Sequence, residues 1–169
     1  MTSFATQNDA AATDLELLLL IFGRAGTASQ ALQSLKKQTD LGRLAILDSA
    51  VLIRDRTGET FLFETGHADS RYGVFFGTIV GVLIGVMGGL SPGDERVAGV
   101  WTELGFAEAA LTWLVAGLRP GGSALVLLVE QNWLKQGLRV LAEFEGEVLQ
   151  QRAALSTAAK LGSRWEGEP

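Results

Sequence analysis

Residues 72–90, YGVFFGTIVGVLIGVMGGL, decide how the rest of the chain is read. The stretch holds no charged residue, and Gly73, Gly77, Gly81 and Gly85 recur at every fourth position. A spacing of four drifts slowly around a helix of 3.6 residues per turn, so the pattern predicts a helix with a nearly straight glycine stripe. The residues between are large and apolar, among them Phe75, Phe76, Ile79, Val80 and Leu83. Each glycine costs roughly 1 kcal/mol against alanine in a helix interior. A close contact with another helix is the usual compensation, as in apolar G-xxx-G segments. Gly73, Gly77, Gly81 and Gly85 are therefore the candidate helix-packing interface. Three placements fit the segment: a buried helix of a soluble core, an oligomer contact in water, and insertion into a membrane. Residues 72–90 make about 28 Å of helix, against a hydrocarbon core of about 30 Å, so length alone leaves all three open.

On the N-terminal side, residues 44–64 hold two apolar runs around Arg54-Asp55-Arg56-Thr57-Gly58-Glu59, a polar turn with a glycine. This predicts a β-hairpin, about 44–54 paired with 60–64. Before it, Thr27 opens a helix with Ala28, Ala31, Leu32 and Leu35 on one face, followed by Lys36 and Lys37, which suit the C-terminal end of a helix dipole. Residues 15–23, LELLLLIFG, have the length of a buried strand, with 17–22 covered on both faces, although helix also fits a leucine run. On the C-terminal side, Ser91-Pro92-Gly93-Asp94 is a turn. Residues 97–118 then read as one helix rich in small residues, antiparallel to the glycine helix, so that 70–118 form a helical hairpin. Residues 123–130 have the look of a strand, Asn132 can cap a helix over 133–144, and 147–151 form a last short strand.

The order is β-α-β-β, the glycine helix, then α-β-α-β. Without the glycine helix, the first six elements follow the ferredoxin-like order βαββαβ, with an αβ unit appended. The fold class expected is thus α+β. Residues 14–152 would be a single α+β domain with the glycine helix 71–90 inserted. Residues 1–13 would be a disordered leader and 153–169 a polar tail.

Composition narrows the function. Among 169 residues, 47% are hydrophobic and 20% charged, with mean hydropathy +0.24. That is apolar for a soluble protein and polar for a multi-pass membrane protein. The net charge of −5 argues against sequence-independent nucleic-acid binding. The absence of cysteine excludes disulfides, thiolate metal sites and a cysteine nucleophile, and a single histidine, His67, weakens any His-cluster site. His67 in a polar linker reads as solvated. The N-terminus lacks the Lys or Arg of a secretory signal, so a cytoplasmic location is the default.

Topology bears on the membrane. If residues 72–90 crossed a bilayer alone, the strands before and after them would lie on opposite sides and could not share a sheet. A hairpin returns to the same side, but its second arm carries Glu103 and Glu108, each costing roughly 2.5–3.5 kcal/mol near the bilayer centre. Assembly in water, or shallow interfacial insertion, costs less.

Three further stretches carry a resemblance. Residues 48–58, DSAVLIRDRTG, are followed by the glycine run 73–89, then by LRPGGSAL at 118–125 and GEVL at 146–149. Over about residues 15–152 the chain resembles a bacterial and archaeal family of domains of unknown function, often labelled predicted membrane proteins. It departs at Glu145, where the family tends to have glycine, and in its leader and tail. The resemblance implies a ferredoxin-like core with a glycine-zipper insertion and no catalytic residues.

Signs of an enzyme are weak. Asp48 precedes a strand, Asp55, Glu59 and Glu64 flank the hairpin, and all four read as a solvated rim. Ser123 after Gly121-Gly122 lacks the G-x-S-x-G elbow, and Arg119-Pro120-Gly121-Gly122 reads as loop closure rather than a phosphate loop. Trp101, Trp113 and Trp133 read as core or interface anchors. No catalytic residue, metal or cofactor is expected. The leading expectation is a non-enzymatic homo-oligomeric scaffold whose partner is itself. The alternatives are a hairpin in or on the bilayer, and a regulatory module with a small ligand between sheet and helices.

Overall fold

Eight apolar-run residues buried on both faces set the frame. In the computed structural model, which describes residues 15–67 and 72–153, β1 (Leu15–Phe22) is buried along its whole length. The expected leader 1–13, linker residues 68–71 and the tail from 154 onward lie outside the described residues. After β1 come α1 (Thr27–Asp40), β2 (Asp48–Arg54), β3 (Thr60–His67), α2 (Gly73–Met87), α3 (Glu95–Glu103), α4 (Glu108–Gly117) and β4 (Ser123–Glu130). A 3-10 turn (Gln131–Trp133), α5 (Leu134–Leu141) and β5 (Glu147–Ala153) follow. The protein is mixed α+β. The five strands lie in the order β3-β2-β4-β1-β5, and every neighbouring pair is antiparallel. β1 and β2 therefore run parallel to each other, with β4 between them.

Helices cover both faces of the sheet, which is why β1 reads as a continuous apolar run. Leu15, Leu17 and Leu19 point to one core with Phe75, Ile79 and Leu83 of α2, Trp101 of α3 and Leu114 of α4. Leu18, Leu20 and Phe22 point to the other, with Ala31, Leu32 and Leu35 of α1 and Leu141 of α5. Burying each such leucine or phenylalanine contributes about 1.5–3 kcal/mol.

Residues 97–118 are two helices, not one. α3 stops at Glu103 because Gly105 takes φ +100°, a left-handed conformation. The Phe106 amide donates to Trp101 O and the Gly105 amide to Thr102 O, the paired bonds of a Schellman motif. Phe106 packs on Trp101 with ring centroids 4.8 Å apart, and Trp101 Nε1 donates to Ala107 O at 2.8 Å. The expected hairpin over 70–118 is thus a three-helix layer. Two smaller expectations also shift. β2 begins at Asp48, because Leu44 and Ile46 plug the core beside α1 and Leu47 the core beside α2 as the chain crosses from helix to sheet. Asn132 lies inside the 3-10 turn and does not cap α5.

Candidate functional site

α2 has two unlike sides. Phe75, Phe76, Ile79, Leu83 and Val86 are buried toward the sheet. Gly77 and Gly81 are exposed on the outward side. A Cβ built on Gly73, Gly77 or Gly81 would meet nothing within 4 Å. Their lack of a side chain is therefore not required by any contact among the described residues. Gly85 differs. Gly89 takes φ +119° and closes α2, with the Leu90 amide donating to Gly85 O and the Gly89 amide to Val86 O. That motif lays Leu90 over Gly85, whose Cβ would lie 3.1 Å from Leu90 Cδ1. The chain's own leucine occupies the fourth position of the stripe.

Two apolar grooves flank the bare ridge. One, of about 740 Å³, runs between α2 and the edge strand β3, lined by Phe61, Leu62, Phe76, Gly77, Val80 and Gly81 among others. The other, of about 540 Å³, runs between α2 and α3 past Gly81, Val82, Leu90, Val97 and Val100. Gly81 lines both. β3 borders the first groove through Phe61 and Leu62, and its pairing with β2 slips between Val51 and Leu52, a bulge that leaves Phe63 as an extra residue. Phe61, Leu62 and Phe63 are 44%, 43% and 55% exposed, three consecutive large apolar side chains. Thr78 Oγ1 donates back to Val74 O at 2.8 Å, so this hydroxyl on the patch is already satisfied. Asp94, at the rim, accepts from the Arg96 amide as the N-cap of α3 and lies 3.6 Å from Arg96 Nε. The amide bond holds its carboxyl below the ordinary carboxylate range, against the opposing pull of desolvation.

The geometry suits close approach by another helix: a ridge two glycines wide, grooves on either side, and no ionisable residue on α2. No helix among the described residues is long and apolar enough to cross a membrane. The fifteen residues of α2 span about 22 Å.

The other residues read from the sequence fall elsewhere. Asp48 is not on a solvated rim: it is fully buried on the α2 side of the sheet, where Oδ1 accepts from the Ser49 amide at 3.0 Å. Asp55 does sit in the turn, where bonds from the Thr57 hydroxyl first, then from the Glu59 and Thr57 amides, hold its carboxyl low. Glu59 is exposed, and the side chains of Glu64 and His67 lie outside what is described. Ser123 is buried; its hydroxyl donates to Arg24 O at 2.6 Å and accepts from the Ala28 amide, tying β4 to the start of α1. Gly121 and Gly122 close the loop on Arg54 through backbone bonds. Trp101 is fully buried, while Trp113 and Trp133 pack partly buried on opposite cores.

Glu16, inside β1, is fully buried, and Arg152 Nε donates to its Oε2 at 2.9 Å while Gln150 Nε2 donates to Oε1 at 3.2 Å. The register sets Arg152 opposite Glu16 on β5. The available signal was an acid inside an otherwise apolar run and an arginine in the last strand. Among the described residues no group of three acidic or histidine side chains could hold a metal ion. Comparison of the chain with protein-family models, with curated proteins and with solved structures finds no match.

Proposed function

We propose that this protein is a non-enzymatic, self-assembling scaffold, in which α2 of one copy packs on α2 of a second across the bare glycine ridge. The observation that carries this is the emptiness around Gly77 and Gly81. Both sit inside a helix, where each costs roughly 1 kcal/mol against alanine, and no described residue of the monomer uses the space they leave. A second copy is the favoured occupant because the chain carries net charge −5. Two such molecules repel wherever acidic surfaces meet, and α2 brings no charge to the contact. The Asp94–Arg96 pair at the rim offers both signs, which a two-fold axis can match against itself.

We further read the sheet as a ferredoxin-like core in a different assignment from the one the element order suggests. β1-α1-β2 and β4-α5-β5 would be its two halves, supported by the sub-order β2-β4-β1-β5 and by β4 lying between two parallel strands. The insertion would then be β3 together with α2, α3 and α4. The C-terminal αβ unit is part of that core and not an appendage. On this reading the family resemblance concerns the core and its glycine-rich insert, and the label of membrane protein attached to it would describe a face that another protein copy covers.

The test is the mass of the full chain in solution by light scattering, for the native protein and for Gly81→Leu. The outward Cβ position leaves room for leucine in the monomer, which circular dichroism would verify. A discrete oligomer that falls to a monomer in the variant is the expected result. An oligomer of unchanged mass would sink the proposal. Flotation with liposomes in place of self-association would move the same face to a bilayer surface.

A further inference from the structure

At the end of the sheet where β1 and β2 finish, the loop after β1, the β2–β3 turn and the loop before β4 border an open cavity of about 780 Å³. Its lining carries three arginines, Arg24, Arg54 and Arg56, and one acid, Asp55, so the local balance is 3 − 1 = +2 in a chain of net charge −5. The acid is already engaged. Asp55 Oδ1 accepts the Thr57 hydroxyl at 2.6 Å and the Thr57 and Glu59 amides at 2.9 and 3.0 Å, and so serves the turn.

The arginines are in a different position. Arg54 is half-buried and held by two neutral acceptors, Gly58 O at 3.0 Å from Nε and Leu118 O at 2.7 Å from Nη1. Those bonds orient the guanidinium without neutralising it, and a guanidinium has five donors, of which two are used. Arg24 and Arg56 form no ion pair with any described residue and are exposed at the cavity mouth. A neighbouring recess shares Arg24 and is lined by Glu143 and Glu145, which leaves the Arg54 and Arg56 side as the more positive wall. Gly121, at φ +89°, donates its amide to Arg54 O at 2.7 Å, so the opposite wall is backbone fixed to the same strand. α1 begins just beyond Ala25 with no acid in its first turn, and its dipole adds to the same sign.

We propose that this cavity binds a phosphorylated small molecule through Arg24, Arg54 and Arg56. Guanidinium forks match the oxygen pairs of a phosphate, and several forks converging on one space suit an anion with more than one negative charge. The volume lies in the range of small-molecule sites, about 300–1,000 Å³, and exceeds what a single inorganic phosphate fills. The cavity shares no lining residue with the grooves beside the glycine ridge, and the proposal does not rest on the assembly proposed above.

The experiment titrates pyrophosphate, then ATP without divalent metal, into the full chain by calorimetry and by amide chemical shifts. Saturable binding is expected, with shifts at the Gly23–Ala25 loop and around Gly121. Arg24→Gln and Arg56→Gln should each weaken binding about tenfold, the loss of one charge-assisted contact of about 1.4 kcal/mol. Arg43→Gln, an exposed charge at the far end of α1, should leave it unchanged, as should Gly81→Leu. Absence of saturation at millimolar pyrophosphate and ATP would overturn the proposal. So would equal weakening by Arg43→Gln, which would mark diffuse charge attraction, or tighter binding of citrate than of pyrophosphate, which would mark a carboxylate site.

Discussion

A methyl group placed on Gly146 would lie 2.5 Å from Phe22 Cδ1 and 2.6 Å from Ile21 O, whereas one placed on Gly81 would meet nothing within 4 Å. The first glycine belongs to the end of β1, where Gly122 is equally hemmed in, with Phe22 O at 2.7 Å from its virtual Cβ, while Gly117 meets only the terminal Cδ1 of Ile21, at 2.8 Å. There the chain packs so closely that only hydrogen fits. The second belongs to the outer face of α2, where the same residue type leaves space unfilled. In the first region the fold itself accounts for glycine. In the second it does not, and the proposed assembly would account for it. Gly99 of α3 is also open within 4 Å.

The largest test of this contrast is Gly146→Ala. Overpacking against Ile21 and Phe22 should destabilise the fold by about 1–3 kcal/mol, read as a lower denaturation midpoint with unchanged slope. A neutral result would mean that the end of β1 yields, and the contrast would weaken. Gly105→Ala sharpens it with a third kind of glycine, one needed for its backbone and not for space. At φ +100° the change should cost about 1–2 kcal/mol, with the α3–α4 junction losing amide protection from exchange. Gly81→Ala should go the other way. The monomer should gain about 0.5–1 kcal/mol from helix propensity, while self-association weakens. Lower stability would mean that the outer face of α2 is tighter than its open surroundings imply.

The smallest effect concerns the rim of the α2–α3 groove. Asp94 has its carboxyl lowered in the folded state, chiefly by the Arg96 amide. A lowered folded value means the cap's contribution is present above the unfolded carboxylate value of about 4 and is lost as pH falls through the folded one. The Arg96 amide resonance should therefore titrate below pH 4 together with Asp94. Titration of that amide above pH 4 would dismiss the cap.

Much of the local structure was legible. Thr27, the four buried residues of α1 and the lysines near its end mark that helix, and the apolar run from Leu15 marks a strand covered on both faces. The hairpin around Gly58 was legible from its turn. The break at Gly105 was not, because glycine among other small residues looks like a packing stripe until Phe106 is seen folded back on Trp101. Asp48 and Glu16 were misjudged or passed over for a related reason. Both sit at strand positions whose burial depends on which elements cover the sheet, and residue type alone assigns an acid to solvent.

From residue spacing alone came the α+β class, the two-sided burial of β1 and a charge-free helix with glycine at every fourth position. These are properties of neighbours a few residues apart, and periodicity records them directly. Only the tertiary structure decided which strand lies beside which, that Gly77 and Gly81 face outward, and that Arg24 lines one cavity with Arg54 and Arg56. Those relations join residues tens of positions apart, and burial of the two cores, not local pattern, brings them together.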